Sequence, residues 1–300
     1  MRAIVTHETG GPEVMREEEL PEPEPSDGEV LIRVRAASVN PIDWKARRGM
    51  TQVPLPTVLG RDISGTVEAS RADGFAEGDE VFGWSASGGY AELSTAAAGG
   101  IAKKPAGISH EQAAAIPVAG ITAWQALFDK GGLASGQTAL VAGAAGGVGH
   151  FAVQFAKKVA GARTVGTGSA HSRDFVLEIG ADQFVDYTQQ EPAEAVDGAD
   201  VVFDTVGGDT TPTLVPTVRE GGIIVTIASA PPEDRARQRG ARAELHVTSP
   251  NPEQLARVAE LVASGDIRIE LSEVLPLGEV GRAHELSEGG HVRGKIVLTV

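Results

Sequence analysis

The run TALVAGAAGGVG at 138–149 limits the fold of this chain more than any other stretch. Its apolar segment, 139–142, has the length and continuity of a strand covered on both faces of a parallel sheet. Gly143, Gly146 and Gly149 follow as GxxGxxG, a variant of the GxGxxG fingerprint, and Val148, Phe151, Ala152 and Phe155 then recur at helical spacing. Strand, glycine turn and helix in that order predict a βαβ unit. The glycines leave the turn bare, so backbone N–H groups along Gly143, Ala144, Gly146, Gly147, Val148 and Gly149 can meet a pyrophosphate at the positive end of the helix.

The next strand bears on which dinucleotide. Segment 163–167 reads as the second strand of the unit, and an NAD site carries Asp or Glu at its end, about 20 residues beyond the glycines. Gly168 and Ser169 stand there instead. With no carboxylate to repel a phosphate, Ser169, Ser172 and Arg173 offer hydroxyls and a positive charge to the 2′-phosphate of NADPH. Tyr187, just after a third strand at 184–186, is placed to close the same pocket. The plainer reading of Arg173 is a solvated helix residue, so the missing acid is the stronger half of the argument.

A length of 300 residues with 41% hydrophobic side chains suffices for two cores. Cysteine is absent, which removes disulfides, thiolate zinc sites, iron–sulfur clusters and a cysteine nucleophile, and suits a cytoplasmic protein. Segment 1–5 is strand-like with no apolar signal region, and no stretch approaches the length of a bilayer span, so a soluble protein is expected. The net charge of −15 argues against nucleic acid or an anionic membrane as partner. An anionic cofactor must therefore be gripped locally.

The first hundred residues offer short strands separated by Gly and Pro, clearest at 31–39, 63–69, 80–83 and 89–94, which suggest a small irregular β-barrel. The proline-rich 21–29 reads as a surface connection. One helix begins near Ser109, whose hydroxyl can cap it, and a second spans 120–128. Strand and helix then alternate at 201–204, 209–218 and 223–228, the pattern of a doubly wound α/β sheet. Segment 230–243 reads as a mobile loop with one helical turn. Helices at 252–263 and 277–287 and a strand at 295–300 complete the chain.

Several segments together resemble the medium-chain dehydrogenase/reductase superfamily, in its zinc-free NADPH quinone oxidoreductase branch. They are ASVNPIDWKARRG (37–49), LGRDISGTVEA (59–69), GGYAEL (88–93), AGITAWQAL (119–127), AGAAGGVG (142–149), DTVGG (204–208) and RGKIVL (293–298). The resemblance implies an α/β protein: a Rossmann doubly wound parallel sheet at 116–248, and a GroES-like β-barrel built from 1–115 and the returning 249–300. Zinc-dependent relatives place a Cys in the segment matching 39–43 and Gly-His-Glu in that matching 60–62. Here Asn40, Pro41, Ile42 and Asp43 answer the first and Gly60, Arg61 and Asp62 the second. A guanidinium does not ligate zinc, so no metal is expected.

Without a metal to polarise an alcohol, the chemistry implied is hydride transfer from NADPH to an electron-poor small molecule, a quinone or an α,β-unsaturated carbonyl, aided by a donor to the carbonyl oxygen. The resemblance places Asn40 and Asp43 near the nicotinamide, Thr122 on its carboxamide and Lys295 on the pyrophosphate. Lys45 departs from a Tyr carried by some relatives; it is either the donor to a substrate oxygen or half of an exposed ion pair with Asp43. Trp44, Trp84, Tyr90 and Trp124 are candidates to line an acceptor pocket or to fill cores. An enoyl reductase of a biosynthetic pathway and an NADPH-binding protein without significant turnover stay open as alternatives. Segments 222–228 and 245–248 read as lying near a sheet edge, and related proteins pair there, so a homodimer is expected.

Overall fold

The computed structural model describes residues 1–196 and 198–300. The chain divides into two compact units, Met1–Ile121 with Ser249–Gly265 and Ile269–Val300, and Thr122–Thr248 with Asp266–Arg268. The division falls later than the expected 115/116 because the helix Pro117–Trp124 runs across it, and the Val118 N–H is held 3.1 Å from the Asp62 carboxylate of the first unit. Asp266–Arg268 rejoins the second unit through Gln154, whose side chain accepts from the Arg268 N–H and donates to its carbonyl, both at 2.8 Å.

The second unit is a six-stranded parallel sheet in the order Gln183–Asp186, Arg163–Gly168, Thr138–Ala142, Ala199–Asp204, Val218–Thr226, Arg242–Leu245. The chain starts at the centre, winds outward to one side, then returns to pair Ala199–Asp204 with Thr138–Ala142 and winds to the other. That reversal creates a topological switch point beyond the carboxyl ends of these two strands. Both are buried apolar runs, as covering on two faces requires: Leu140, Val165, Val202 and Ile224 form one contiguous core.

Segment 230–243 is not a loop. It holds the helix Glu233–Gln238, and the edge strand Arg242–Leu245 follows. Ala236 and Ala243 are buried, and these two small apolar anchors are hidden in the sequence among Arg and Glu. The expected β-run 245–248 leaves the sheet after Leu245, and the strand expected at 223–228 begins earlier, at Val218, and ends at Thr226.

The first unit contains a seven-stranded sheet and a three-stranded one. The long strand Glu29–Val39 pairs antiparallel with Asp62–Ser70, with Leu93–Ala97 and with the C-terminal Lys295–Thr299, which in turn lies parallel to Leu271–Pro276. Ile32, Val34, Ile63, Val67, Val81, Ile101, Ile296 and Leu298 fill the core between them. The strand expected at 89–94 is displaced to Leu93–Ala97. Gly88 adopts φ +96° and the Gly89 N–H donates to the Leu59 and Gly60 carbonyls, so this stretch is a turn docked on the neighbouring chain. Among the described residues no helix is long and apolar enough to cross a membrane.

A short helix, Pro41–Arg47, follows the long strand, and its far end is pinned by charge. Arg47 is fully buried, and its guanidinium meets Glu288 at 2.6 Å; Arg48 takes the other carboxylate oxygen at 2.7 Å. Removing the carboxylate strands a buried cation, which costs about 3 kcal/mol or more, whereas the exposed Glu279–Arg282 pair is worth less than about 1. Glu288→Ala should therefore lower the urea midpoint sharply and Glu279→Ala barely move it. Equal midpoints for the two variants would show that Glu288 does not hold the helix.

Candidate functional site

The glycine turn sits at the switch point. Gly143 ends the central strand with φ +71°, and the Ala144 N–H reaches across to the Thr167 carbonyl at 3.0 Å. The three glycines are required for different reasons. A Cβ on Gly143 would lie 2.6 Å from Thr205 Oγ1, besides the strain of its dihedral; one on Gly149 would lie 2.1 Å from the Gly143 carbonyl oxygen, so the helix Gly149–Gln154 could not pack on the strand end. A Cβ on Gly146 would meet only the Gly143 carbonyl, at 3.3 Å. Internal packing therefore demands two of the glycines, and the third keeps open the space before the helix. Val148, at the N-cap, contributes no side-chain cap, and in the first turn the His150 N–H is taken by the Gly146 carbonyl at 3.0 Å.

The adjoining strand Arg163–Gly168 ends beside this turn. The Tyr187 N–H donates to the Gly168 carbonyl at 3.2 Å, bringing an exposed phenol to the same strand end. The Arg173 guanidinium packs 5.9 Å from the Phe184 ring centroid and is solvent-exposed. Ser169 Oγ is 3.0 Å from His171 Nδ1. Ser172, in contrast, is buried and donates to the Ser169 carbonyl at 2.8 Å; its hydroxyl stabilises the turn and does not face outward as expected. His171 was not singled out by the sequence, because a lone histidine in a polar stretch carries no pattern.

On the far side of the switch point, buried Asp204 shapes the loop after its strand. It accepts from the Val206 and Gly207 N–H groups at 2.9 and 3.0 Å and from Thr211 Oγ1. Thr122 is buried, with its hydroxyl 2.5 Å from that of Thr248.

In the first unit, Asn40, Asp43 and Lys295 form part of a buried polar cluster. Asn40 Nδ2 donates to Asp62 at 2.9 Å, and its Oδ1 accepts from the Lys295 ammonium at 2.5 Å. Asp43 accepts from the Asn40 N–H at 2.8 Å, closing a capping box, and from the Tyr90 hydroxyl at 3.1 Å. Because that hydroxyl gives its hydrogen to Asp43, His284 Nε2, 3.2 Å away, is the donor to Tyr90. Burial raises Asp43 to about 6 and Asp62 to about 7, against hydrogen bonds and the Lys295 charge that lower both. Burial lowers Lys295, and burial with the Arg47 charge lowers His284 to about 3.

Three expectations change here. Lys295 is almost wholly buried and spent on Asn40 and the Val39 carbonyl, so it does not offer an ammonium to a pyrophosphate. Asn40 and Asp43 have their polar atoms bound within this unit and act as a scaffold. Asp43 is not in an exposed ion pair: Lys45 lies half-buried with its ammonium 5.6 Å from the Trp44 ring centroid. Of the aromatic candidates, Tyr90 is core, and Trp124 packs edge-on against Phe128 and Phe155. Trp84 lies beneath the exposed Arg61 guanidinium at 5.3 Å.

A doubly wound sheet with a glycine turn at its switch point, accompanied by a separate β unit, is the architecture of a two-domain nucleotide-dependent dehydrogenase or reductase. Residues 26–117 match the family described as alcohol dehydrogenase GroES-like domain, and residues 179–298 that described as zinc-binding dehydrogenase. The chain is 35% identical to a quinone oxidoreductase of Pseudomonas aeruginosa, over 96% of each chain. It is 33% identical to a chloroplastic NADPH-dependent alkenal/one oxidoreductase of Arabidopsis thaliana, over 99% of this chain and 79% of that one. The solved quinone oxidoreductase of Coxiella burnetii superposes with a TM-score of 0.93 at 36% identity, covering 100% of this chain and 99% of that one. The chain belongs to the medium-chain dehydrogenase/reductase superfamily, in its quinone oxidoreductase branch.

The cluster around Asp62 sets a pH dependence. The folded-state pKa of Asp62 lies above the ordinary value of 3.8, so its contribution to stability falls as pH rises from that value through about 7. Lys295 limits the loss. Lys295→Met should therefore cost about 3–5 kcal/mol at pH 8, and clearly less at pH 5, where Asp62 is protonated in the folded chain. Urea unfolding at the two pH values measures this; an equal cost at both would mean that Lys295 does not hold the carboxylate charge.

Proposed function

We propose that this protein is an NAD(P)H-dependent reductase of quinones and α,β-unsaturated carbonyls that uses NADPH and needs no zinc. The observation that carries the reading is the glycine turn at the switch point: two of its fingerprint glycines serve internal packing, and at the third, Gly146, a Cβ would meet only the Gly143 carbonyl oxygen, at 3.3 Å, so its bareness is what backbone approach of a pyrophosphate needs. Relatives named for quinone and alkenal reduction support the substrate class.

NADPH, when bound, supplies two electrons and a proton equivalent as hydride. The backbone N–H groups of Gly147, Val148 and Gly149 bind and orient the pyrophosphate, while those of Ala144 and Gly146 are held by the Thr167 and Gly143 carbonyls, each at 3.0 Å, and shape the turn. Ser169, Arg173 and Tyr187 hold the 2′-phosphate, and Thr122 orients the carboxamide. Asn40, Asp43, Asp62 and Lys295 keep the wall of the barrel unit rigid, and Lys45 is the donor to the acceptor oxygen, where negative charge grows during reduction. Independence from zinc is supported by the absence of cysteine and by Arg61, whose guanidinium stacks on Trp84. Homodimer formation and a cytoplasmic location belong to the same proposal. Among the described residues, the edge strand Arg242–Leu245 is unpaired on one side, and Leu245 and Val247 are exposed, at 47% and 79%.

Oxidation of NADPH by benzoquinone and by a 2-alkenal tests the reading directly. Gly146→Val, with its Cβ 3.3 Å from the Gly143 carbonyl oxygen and its folding checked by circular dichroism, should lose cofactor affinity by about a hundredfold or more, read by cofactor fluorescence. Undiminished affinity would place the pyrophosphate elsewhere. Absence of turnover with both acceptors would refute the substrate class.

NADPH should be preferred over NADH, with one charge-assisted contact contributing about 1.5–3 kcal/mol, or about ten- to a hundredfold in affinity. Titration of the parent and of Arg173→Ala with both nucleotides checks this. The variant should lose affinity for NADPH and retain that for NADH; equal affinities in the parent would exclude the 2′-phosphate site.

A further inference from the structure

The buried Asp204 carboxylate fixes the direction of a chain of hydrogen bonds that runs out to the surface of the second unit. Its Oδ1 accepts from the Val206 and Gly207 N–H groups, and its Oδ2 accepts from the Thr211 hydroxyl. A carboxylate only accepts, so the single hydrogen of Thr211 is spent on it. Thr211 Oγ1 also lies 2.8 Å from Ser229 Oγ, and the hydrogen in that contact must then come from Ser229. Thr211 is buried and Ser229 is partly exposed, so the chain ends on a serine oxygen that presents lone pairs outward and no hydrogen. We infer that Ser229 is a further cofactor-binding residue, the acceptor for a hydroxyl of the ribose that carries the nicotinamide. The inference rests on the NADPH reading above.

The placement of Ser229 follows from the sheet. The strands Ala199–Asp204 and Val218–Thr226 end level, with Asp204 beside Thr226 in register. Beyond them the Ile227 N–H donates to the Asp204 carbonyl at 3.2 Å, and Gly207 comes so close to Ala228 that a Cβ on it would lie 2.7 Å from the Ala228 Cβ. The two loops are thus docked on each other past the carboxyl ends of their strands, on the opposite side of the central strand from Arg163–Gly168. A dinucleotide whose pyrophosphate meets the glycine turn, and whose adenosine half lies at the end of Arg163–Gly168, has its other half on this opposite side.

Hydrogen-bond polarity then selects the group. The non-adenosine half carries a carboxamide, which the reading gives to Thr122, and two ribose hydroxyls, each with a hydrogen to donate. A phosphate oxygen has only lone pairs and would meet those of Ser229 unfavourably. Ser229 therefore accepts a sugar hydroxyl and rejects the 2′-phosphate, whereas the end of Arg163–Gly168 supplies the Arg173 charge. The contrast between the two ends favours one direction of the dinucleotide over the reverse.

Calorimetric titration of the parent and of Ser229→Ala tests this, with NADP⁺ and with adenosine 2′,5′-bisphosphate, the part of NADP⁺ that lacks the nicotinamide ribose. The variant should bind NADP⁺ about five- to tenfold more weakly and the bisphosphate as tightly as the parent does. An NADP⁺ analogue with fluorine in place of both hydroxyls of the nicotinamide ribose keeps lone pairs but has no hydrogen to give. It should bind the parent more weakly than NADP⁺ does, and Ser229→Ala should not weaken it further. Equal affinity of parent and variant for NADP⁺, or a further loss with the fluorinated analogue, would overturn the assignment while the bisphosphate, still bound, leaves the NADPH reading standing. A loss shared equally by NADP⁺ and the bisphosphate would overturn it too, by showing that Ser229 only supports the unit's structure. Failure of both to bind the parent would overturn the NADPH reading and the assignment with it.

Discussion

The packing of Gly149 against the Gly143 carbonyl is the contact on which the nucleotide unit depends. No side chain fits there: a Cβ would lie 2.1 Å from the oxygen. The absence of that side chain lets the helix Gly149–Gln154 begin directly over the end of the central strand, with its N–H groups turned toward the switch point. The same approach fixes the turn between them, tied to the second strand through Ala144 and Thr167, and to the fourth through Thr205 Oγ1, which donates to the Ala142 carbonyl at 2.7 Å. One steric requirement thus sets where the helix begins over the end of the central strand.

The barrel unit solves the opposite problem. Instead of excluding side chains, it buries Asp43, Asp62 and Lys295 away from water and balances them with Asn40, Tyr90 and His284. Such a cluster contributes little net stability, because desolvation offsets attraction, but each member is costly to remove singly. It ties the C-terminal strand Lys295–Thr299 to the end of Glu29–Val39 and to the helix Pro41–Arg47. Segments about 250 residues apart in the chain are therefore held in register by a few polar atoms, and Glu288 repeats the device on Arg47.

Much of this was legible in the sequence where one residue pattern determines one local structure. The glycine turn, the second strand ending without an acid, and the helix Pro252–Ala263 follow from apolar period and glycine spacing alone. Legibility failed where tertiary pairing decides. Arg242–Leu245 is a strand because Val218–Thr226 offers it an edge, and its charged composition says nothing of that. Lys295 reads as a cation available to a ligand, and only the fold reveals that Asn40 and Val39 consume it. Tyr90 and His284, joined by a 3.2 Å bond, have no sequence relation at all.

The charge of the whole chain gives the site its character. At −15, the protein repels a nucleotide at long range, so affinity cannot come from steering and must come from contacts within a few ångströms. Backbone N–H groups at the switch point, and the side chains proposed for the 2′-phosphate, Ser169, Arg173 and Tyr187, suit that requirement, since directed hydrogen bonds act where the diffuse field has no orientation. The same field disfavours anionic acceptors throughout and leaves uncharged, electron-poor carbonyl compounds, the quinones and enones, as the molecules that can approach without penalty.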